Sequence, residues 1–414
     1  MKKVSIKNHC EITSSKRIFS DEYLLSPGVP FYRGKEISEK QKSSSQVSEQ
    51  IYISREKFEE IKSRFGAPQK GDLLLTSVGT IGNPYLVKKD EEFYFKDGNL
   101  TWFRNFDGIN SQWLYYWLLS AQGKSELSKC TIGSSQKAYT INLLYGLQIE
   151  LPNFTTQTRI ASVLSAYDDL IENNEKRIKA LEEMAQLLYT EWFVKFKFPE
   201  HQKVKMIDSK TEYGLIPEGW EVKKLKEIVQ VITGKTPSTS KPENFGGEVL
   251  FIKTPDMHGN IFILDTTQTL SDIGAESQSL KLLPEKTVFV SCIGTLGVVG
   301  ITSKPSQTNQ QINALVTNDR QDYCLFYFFA KTLKQKLIGL GSNGATMGNV
   351  SKDKLENINI LYPSGNVRKV FFESTSKLFN EILTLQKQNK NLTKTRNLLI
   401  PQLVTGNREL KISL

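Results

Sequence analysis

The stretch Gln157–Trp192 contains neither glycine nor proline, and its apolar residues recur on a fixed beat. Ile160, Leu164, Tyr167, Ile171, Asn174, Ile178, Leu181, Ala185, Leu188 and Trp192 follow one another in alternating steps of four and three. That is the a/d spacing of a coiled coil. At a rise of about 1.5 Å per residue such a helix is about 50–55 Å long. A stripe of this kind has to be covered, and one other long helix covers it most simply. Whatever else the chain forms must be arranged around this rod.

The partner helix is found in the same sequence. Leu144, Leu147, Ile149 and Pro152 recur 211 positions later as Leu355, Ile358, Ile360 and Pro363. The same offset carries the first seam onto Phe371, Thr375, Leu378, Ile382, Leu385, Asn389, Leu392, Arg396, Leu399 and Leu403, most of them apolar. Pro401 ends this second helix or sits in its last turn. Ahead of each helix the chain also repeats. Val29-Pro-Phe-Tyr-Arg33 is answered by Val249-Leu-Phe-Ile-Lys253. Asp72-Leu-Leu-Leu-Thr-Ser-Val-Gly-Thr-Ile-Gly82 is answered by Thr287-Val-Phe-Val-Ser-Cys-Ile-Gly-Thr-Leu-Gly297, and Gly133-Ser-Ser-Gln-Lys-Ala by Gly344-Ala-Thr-Met-Gly-Asn. A repeat of this length is a duplicated domain, not a solenoid.

The expected fold class is therefore α+β: two similar mixed domains separated by a pair of long antiparallel coiled-coil helices with pseudo-two-fold symmetry. The segments expected are a domain over 1–153, a long helix over 154–197, a linker over 198–213, a second domain over 214–364 and a second long helix over 365–414. Within the first domain, Ser54–Phe65 and Ser111–Ser120 have helical composition, Asp72–Val78 and Leu147–Leu151 read as strands, and the polar, Ser-rich 35–50 stretch reads as an exposed loop. Asn174 and Asn389 interrupt the seams; a buried polar residue there fixes register, while a solvated fray is the other reading for Asn389.

A hydrophobic content of 39% and a charged content of 24% are ordinary for a globular chain, but the balance of 54 basic against 44 acidic residues gives +10. That excess suits an anionic partner, nucleic acid first. The start, MKKVSIKNHC, has no signal-peptide core and no run is long enough to span a membrane. Cys10, Cys130, Cys292 and Cys324 form no CxxC pair. Thiols so placed fit a reducing cytoplasm.

The search for a catalytic motif fails at each candidate. Gly234-Lys235-Thr236 resembles the end of a phosphate-binding loop, but the glycine required five residues earlier is Val229. Gly79-x-x-Gly82 and Gly294-x-x-Gly297 lack the three-glycine dinucleotide spacing. Asn83-Pro84-Tyr85 lacks the second proline of a methyltransferase motif, and Pro255-Asp256 is followed by no Glu-x-Lys or Asp-x-Lys. His9, His201 and His258 are scattered, with no metal-ligand spacing. What remains is a DNA-reading surface in each half. The candidates are Lys16, Arg17, Tyr32, Arg33, Lys35, Lys137 and Tyr139 in the first and Lys235, Lys241, Lys253, Asn309, Gln310 and Gln311 in the second. Arg and Lys suit phosphates or guanine edges, Asn and Gln suit adenine. Arg368–Lys411 adds nine basic against three acidic residues, a face able to follow a phosphate backbone.

Several stretches carry a resemblance to one family: Gln157-Thr-Arg-Ile-Ala-Ser-Val-Leu-Ser-Ala-Tyr-Asp-Asp-Leu-Ile171, Leu187-Leu-Tyr-Thr-Glu-Trp-Phe193, Phe198-Pro199, Gly214-Leu-Ile-Pro-Glu-Gly-Trp220 and Leu398-Leu-Ile-Pro-Gln-Leu-Val-Thr-Gly406. With the half-repeat, they make the whole chain resemble the specificity subunit of a type I restriction–modification system. The resemblance implies a non-catalytic subunit whose two target recognition domains each read half of a split double-stranded DNA site, with the helices setting the gap. It implies two modification subunits that bind the helical region and methylate adenine with S-adenosylmethionine, and restriction motor-nuclease subunits that use ATP and Mg²⁺; this chain itself needs no cofactor or metal. The second helix departs from the first: Arg368 stands where Gln157 does, and Phe379-Asn380 replaces Asp168-Asp169. The other readings are an orphan specificity subunit without active partners, a self-contained DNA-modifying enzyme and a purely structural coiled-coil scaffold.

Overall fold

The computed structural model describes residues 2–25, 28–42, 47, 50–133, 137–341 and 348–406. The chain forms two compact units, one of residues 1–173 with 389–414 and one of residues 174–388.

In the first unit, Leu73–Thr76 is entirely buried and therefore lies inside a sheet. The order is Glu11–Thr13, Leu100–Arg104, Leu73–Thr76, Pro84–Leu86, with every pair antiparallel. A second sheet orders Ile51–Ile53, Val29–Tyr32 and Tyr94–Phe95, the last pair being parallel. Lys2–Ser5 pairs with Gln148–Leu151 and so ties the start of the chain to the strand that leads into the rod. Helix Arg55–Phe65 is capped by the Ser54 side chain, which accepts from Lys57 N at 3.1 Å. Helix Ser111–Leu119 is capped by Asn110, which accepts from Trp113 N at 3.0 Å. It buries Trp113, Leu114, Tyr116, Trp117 and Leu118, so it is a core helix rather than a surface one.

The second unit has the same plan. One sheet orders Val229–Thr233, Ile312–Thr317, Val288–Ser291, Val299–Thr302 and Phe262–Ile263; the other orders Thr269–Leu270, Phe245–Ile252 and Ser306–Thr308, again with one parallel pair. Glu221–Lys224 pairs with Asn359–Tyr362 as Lys2–Ser5 does with its partner. Helix Tyr323–Thr332 is buried over most of its surface.

The first long helix runs Phe154–Tyr189 and closes in one wider turn, Thr190–Val194, where Lys195 N bonds Thr190 O at 3.0 Å. The second runs Gly365–Val404 with Pro401 in its last turn. Every a/d position named above on either helix is buried or half-buried, and none is exposed. Within each unit the two helices run antiparallel. In the first, Arg396 pairs with Asp168 and Asn389 Nδ2 donates to Ile171 O at 3.2 Å. In the second, Arg177 pairs with Glu381 and the Trp192 ring lies 5.7 Å from Phe371. Asn389 is thus a half-buried cross-helix donor and not a solvated fray.

The two departures between the helices are internal. Gln157 is buried; its Oε1 accepts from Asn110 N at 2.7 Å and its Nε2 donates to Pro152 O at 2.9 Å. Arg368 makes the matching link with charge: Nη1 lies 2.5 Å from buried Asp322, and Nε donates to Pro363 O at 3.3 Å. Each fixes the first turn of its helix to its own domain. Asp168 accepts from Tyr116 Oη at 2.5 Å and pairs with Arg396. At Tyr327, the counterpart of Tyr116, the acid comes instead from Glu182, at 2.6 Å. Phe379 can therefore be apolar, and it is fully buried against Phe262, Tyr323, Tyr327 and Phe328.

One expected loop is a helix. Gly34–Lys42 is helical, and Glu36 and Ile37 within it are fully buried. Residues 43–46 and 48–49 lie outside the described residues, as do 134–136 and 342–347, which include most of the Gly133 and Gly344 correspondence.

Candidate nucleic-acid interface

In both units a few backbone hydrogen bonds gather the same segments at one place. In the first, Lys96 N bonds Tyr32 O (2.9 Å), Ser77 N bonds Asn99 O (2.8 Å) and Tyr139 N bonds Ser77 O (3.0 Å). Arg17 Nε reaches Asp97 at 2.9 Å, and Lys16 N donates to Tyr94 Oη at 2.8 Å. The segments around Lys16–Arg17, Arg33–Lys35, Lys96–Asn99 and Lys137–Tyr139 therefore meet. In the second unit, Asn309 N bonds Ile252 O (3.1 Å), Cys292 N bonds Gln311 O (2.7 Å), Lys235 N bonds Thr308 O (2.9 Å) and Val350 N bonds Cys292 O (2.8 Å). This brings together Lys235, Lys253, Asn309, Gln310 and Gln311. Lys241 lies further along, exposed in a turn where its N–H bonds Ser238 O at 3.3 Å.

Local chemistry fixes each piece. Gly79 and Gly82 in one unit and Gly294 and Gly297 in the other have φ of 78°, 86°, 78° and 76°, so the Gly-Thr-x-Gly loop needs glycine at both places. In both loops the second glycine bonds back to the strand end, Gly82 N to Thr76 O and Gly297 N to Ser291 O, each 2.9 Å. Gly234 is required for a different reason. A Cβ there would stand 2.2 Å from Asn309 O, so the Gly-Lys-Thr run is a close crossing of two backbones and not part of a phosphate loop.

The side chains divide into anchored and presented groups. Arg33 N donates to Glu36 Oε2 at 2.7 Å, and its Nε and Nη2 also reach that carboxylate. Lys253 N donates to Asp256 at 2.9 Å in the same way, and Lys253 Nζ donates to Gln268 at 2.8 Å. Both cations are half-buried and held at the start of a short helix. Tyr32 is a correction. Only 7% exposed, it packs on Phe93 at 4.8 Å in the core, so its ring offers no face to a base. Asn309 is 8% exposed and spends its amide on Gln311, accepting from N at 3.2 Å and donating to Oε1 at 3.0 Å; it shapes the loop and presents Gln311. Lys16, Arg17, Lys35, Lys137, Lys235 and Gln310 are exposed, Tyr139 and Gln311 half-exposed. Lys16 Nζ lies over the Phe65 ring at 4.3 Å. Gln310 accepts from Thr236 Oγ1 at 2.7 Å.

Three groups that the sequence did not single out complete the site. Lys96–Asn99 is the counterpart of Asn309–Gln311, but the two ends match at offsets of 213 and 212, which hides the pair from the offset of 211. Gln278 and Gln307 are buried, bonded to each other at 2.7 Å, and Gln278 Nε2 also holds Lys235 O at 2.9 Å. Glu36 has a perturbed proton affinity. Burial raises it, but the hydrogen bonds from the Arg33 side chain and backbone outweigh burial and hold it below the ordinary value of 4.5. A carboxylate so depressed stabilises the fold above its unfolded pKa and ceases to do so as pH falls through the folded value. Glu36→Gln is therefore expected to lower the melting temperature at pH 7 and to flatten its acid limb below about pH 4.5. Melting curves of both proteins from pH 7 to pH 3 check this; parallel acid limbs would contradict it.

Among the described residues no group of three or more His, Cys, Asp or Glu side chains could hold a metal ion. His9 and His201 are each bonded to a backbone carbonyl, at 2.9 Å. All four cysteines are buried and unbridged. No described helix is long and apolar enough to cross a membrane.

Two mixed domains of one plan, each leading into a long helix and each carrying a gathered polar and basic site, define a class of paired recognition chains. The chain belongs to the type I restriction modification DNA specificity domain family, whose pattern matches residues 1–183 and 217–394. It is the DNA-recognition subunit of such a system, the subunit that carries no catalysis. It is 31% identical over 400 residues to the type I restriction enzyme HindI specificity subunit of Haemophilus influenzae, covering 82% of this chain and 87% of that one. It is 27% identical over 348 residues to the MjaIX specificity subunit of Methanocaldococcus jannaschii, covering 81% and 77%. Its fold matches the crystal structure of the type I restriction–modification S subunit from M. genitalium with a TM-score of 0.59 at 16% identity, over 99% of this chain and 96% of that one.

Proposed function

We propose that this subunit reads a bipartite, asymmetric DNA target, each recognition domain taking one half-site and the long helices setting the gap. One observation carries the asymmetry. The same hydrogen-bonded scaffold is built twice but presents different side chains: Arg17 and Lys35 in one unit, Lys235, Gln310 and Gln311 in the other. One scaffold with two side-chain sets suits two unlike half-sites. Two modification subunits dock on the helical region and methylate adenine with S-adenosylmethionine. Restriction subunits join them and use ATP and Mg²⁺, all in the cytoplasm. The first long helix supports the docking, because it leaves Val163 and Leu170 exposed in the first unit and Met184 and Leu187 in the second. Such residues on a helix flank suit a partner helix.

The test is to map methylated adenines in cells carrying this chain with its modification subunits. A two-part asymmetric motif with a fixed gap is expected. A continuous palindromic motif would overturn the proposal.

A further inference from the structure

The two Gly-Thr-x-Gly loops share sequence and hydrogen bonds but not surroundings. In the second unit the space behind the loop is closed. Leu296 is 8% exposed, and a Cβ added to Gly341 or Gly348 would come within 2.8 or 2.7 Å of its Cδ1. A Cβ on Gly297 would come within 2.9 Å of Lys334 Cα. In the first unit the equivalent Ile81 is only half-buried, and a Cβ on Gly82, the counterpart of Gly297, would meet no backbone but only the Tyr139 hydroxyl, at 3.1 Å. Here the loop stands off, leaving an open cleft of about 260 Å³ whose polar lining is Asn83, Lys124, Ser128, Thr131, Lys137 and Tyr139.

Among the described residues no acid compensates the charges in this cleft. Lys124 and Lys137 are exposed, and neither has an ion-pair partner among the described residues. The acid nearest in sequence to Lys124, Glu126, is taken by Lys129 at 2.6 Å. Two ammonium groups and a phenol around a cleft of this size suit one tetrahedral, singly charged oxyanion better than a flat base edge.

We propose that this cleft takes a backbone phosphate of the DNA duplex, a contact that the second unit lacks because Leu296 occupies the space. Lys137 and Tyr139 then hold the duplex in register and do not read its sequence. The proposal rests on the reading of this chain as a DNA-binding subunit, and the test separates the two. The full-length chain is titrated with a mixed-sequence duplex of about 40 base pairs over a salt series, because each phosphate contact contributes about 0.9 to the slope of log K against log salt. Lys124→Gln with Lys137→Gln is expected to reduce that slope by about 0.9. The comparator is Lys3→Gln with Lys7→Gln, which removes the same charge from exposed positions elsewhere in the unit; it is expected to leave the slope unchanged. Restoring charge as Lys124→Arg with Lys137→Arg is expected to restore the slope. An unchanged slope in the cleft variant, or an equal fall in both glutamine pairs, overturns the cleft. Saturable binding of inorganic phosphate alone, as tight as that of the duplex, overturns its assignment to DNA. Absence of duplex binding by the wild-type chain at low salt overturns the DNA reading itself.

Discussion

Phe371→Ala is expected to destabilise the second unit by about 3–5 kcal/mol, the usual cost of emptying a buried aromatic site. Phe371 is 1% exposed, and its ring meets Phe193 at 4.7 Å, Trp192 at 5.7 Å and Tyr189 at 6.4 Å. Three aromatics from the end of one long helix thus close on the first a/d residue of the other. No single neighbour can move into the gap without abandoning its own contacts. Urea unfolding followed through tryptophan emission reads the effect, since Trp192 and Trp220 both lie in this cluster. Phe371→Leu keeps most of the volume and is expected to cost about 1–2 kcal/mol. Equal and small losses for both variants would mean that the cluster does not hold the helix ends together.

Arg368→Ala is expected to cost about 3–5 kcal/mol by a different route, because it leaves the Asp322 carboxylate buried without its cation. The Asp322 side chain is 4% exposed, and that of Arg368 17%. Tyr362 Oη also donates to Asp322, at 2.8 Å, but a single neutral donor cannot replace the guanidinium. The first unit solves the same problem without charge, through Gln157. Arg368→Gln combined with Asp322→Asn is therefore expected to recover most of the loss, with a coupling energy of about 2 kcal/mol in a double-mutant cycle. Additive effects would show that the pair does not act as a unit.

The parts of this fold that were legible in the sequence are those where the backbone itself imposes a residue type or a period. The seam was readable because a buried stripe on a long helix has to return every three or four residues. The paired strand–loop–strand units were readable because two positive-φ positions demand glycine at Gly79, Gly82, Gly294 and Gly297. Helix Gly34–Lys42 was not legible. Ile37 is the single apolar residue it buries, and the other fully buried side chain is the charged Glu36, so no hydrophobic period exists to be seen. Its signal is a capping contact in which the Arg33 N–H donates to Glu36, and the sequence shows that only once the strand is known to end at Tyr32. The candidate site was legible as a composition and not as a geometry. Charge and amide content marked Lys235 and Gln310, but the sequence does not say that Tyr32 faces inward or that Gln278 and Gln307 support Lys235 from below. Those facts depend on contacts between residues far apart in the chain.

In the proposed reading two recognition domains take separate half-sites and the helices between them set the gap. Deleting one heptad from each long helix preserves the a/d seam while shortening the pair by about 10 Å, about three base pairs of DNA. Methylated adenines mapped in cells expressing this variant with its modification subunits are expected to lie in the same two half-sites with a gap shorter by about three base pairs. An unchanged gap, or altered half-sites, would contradict a gap set by the helices.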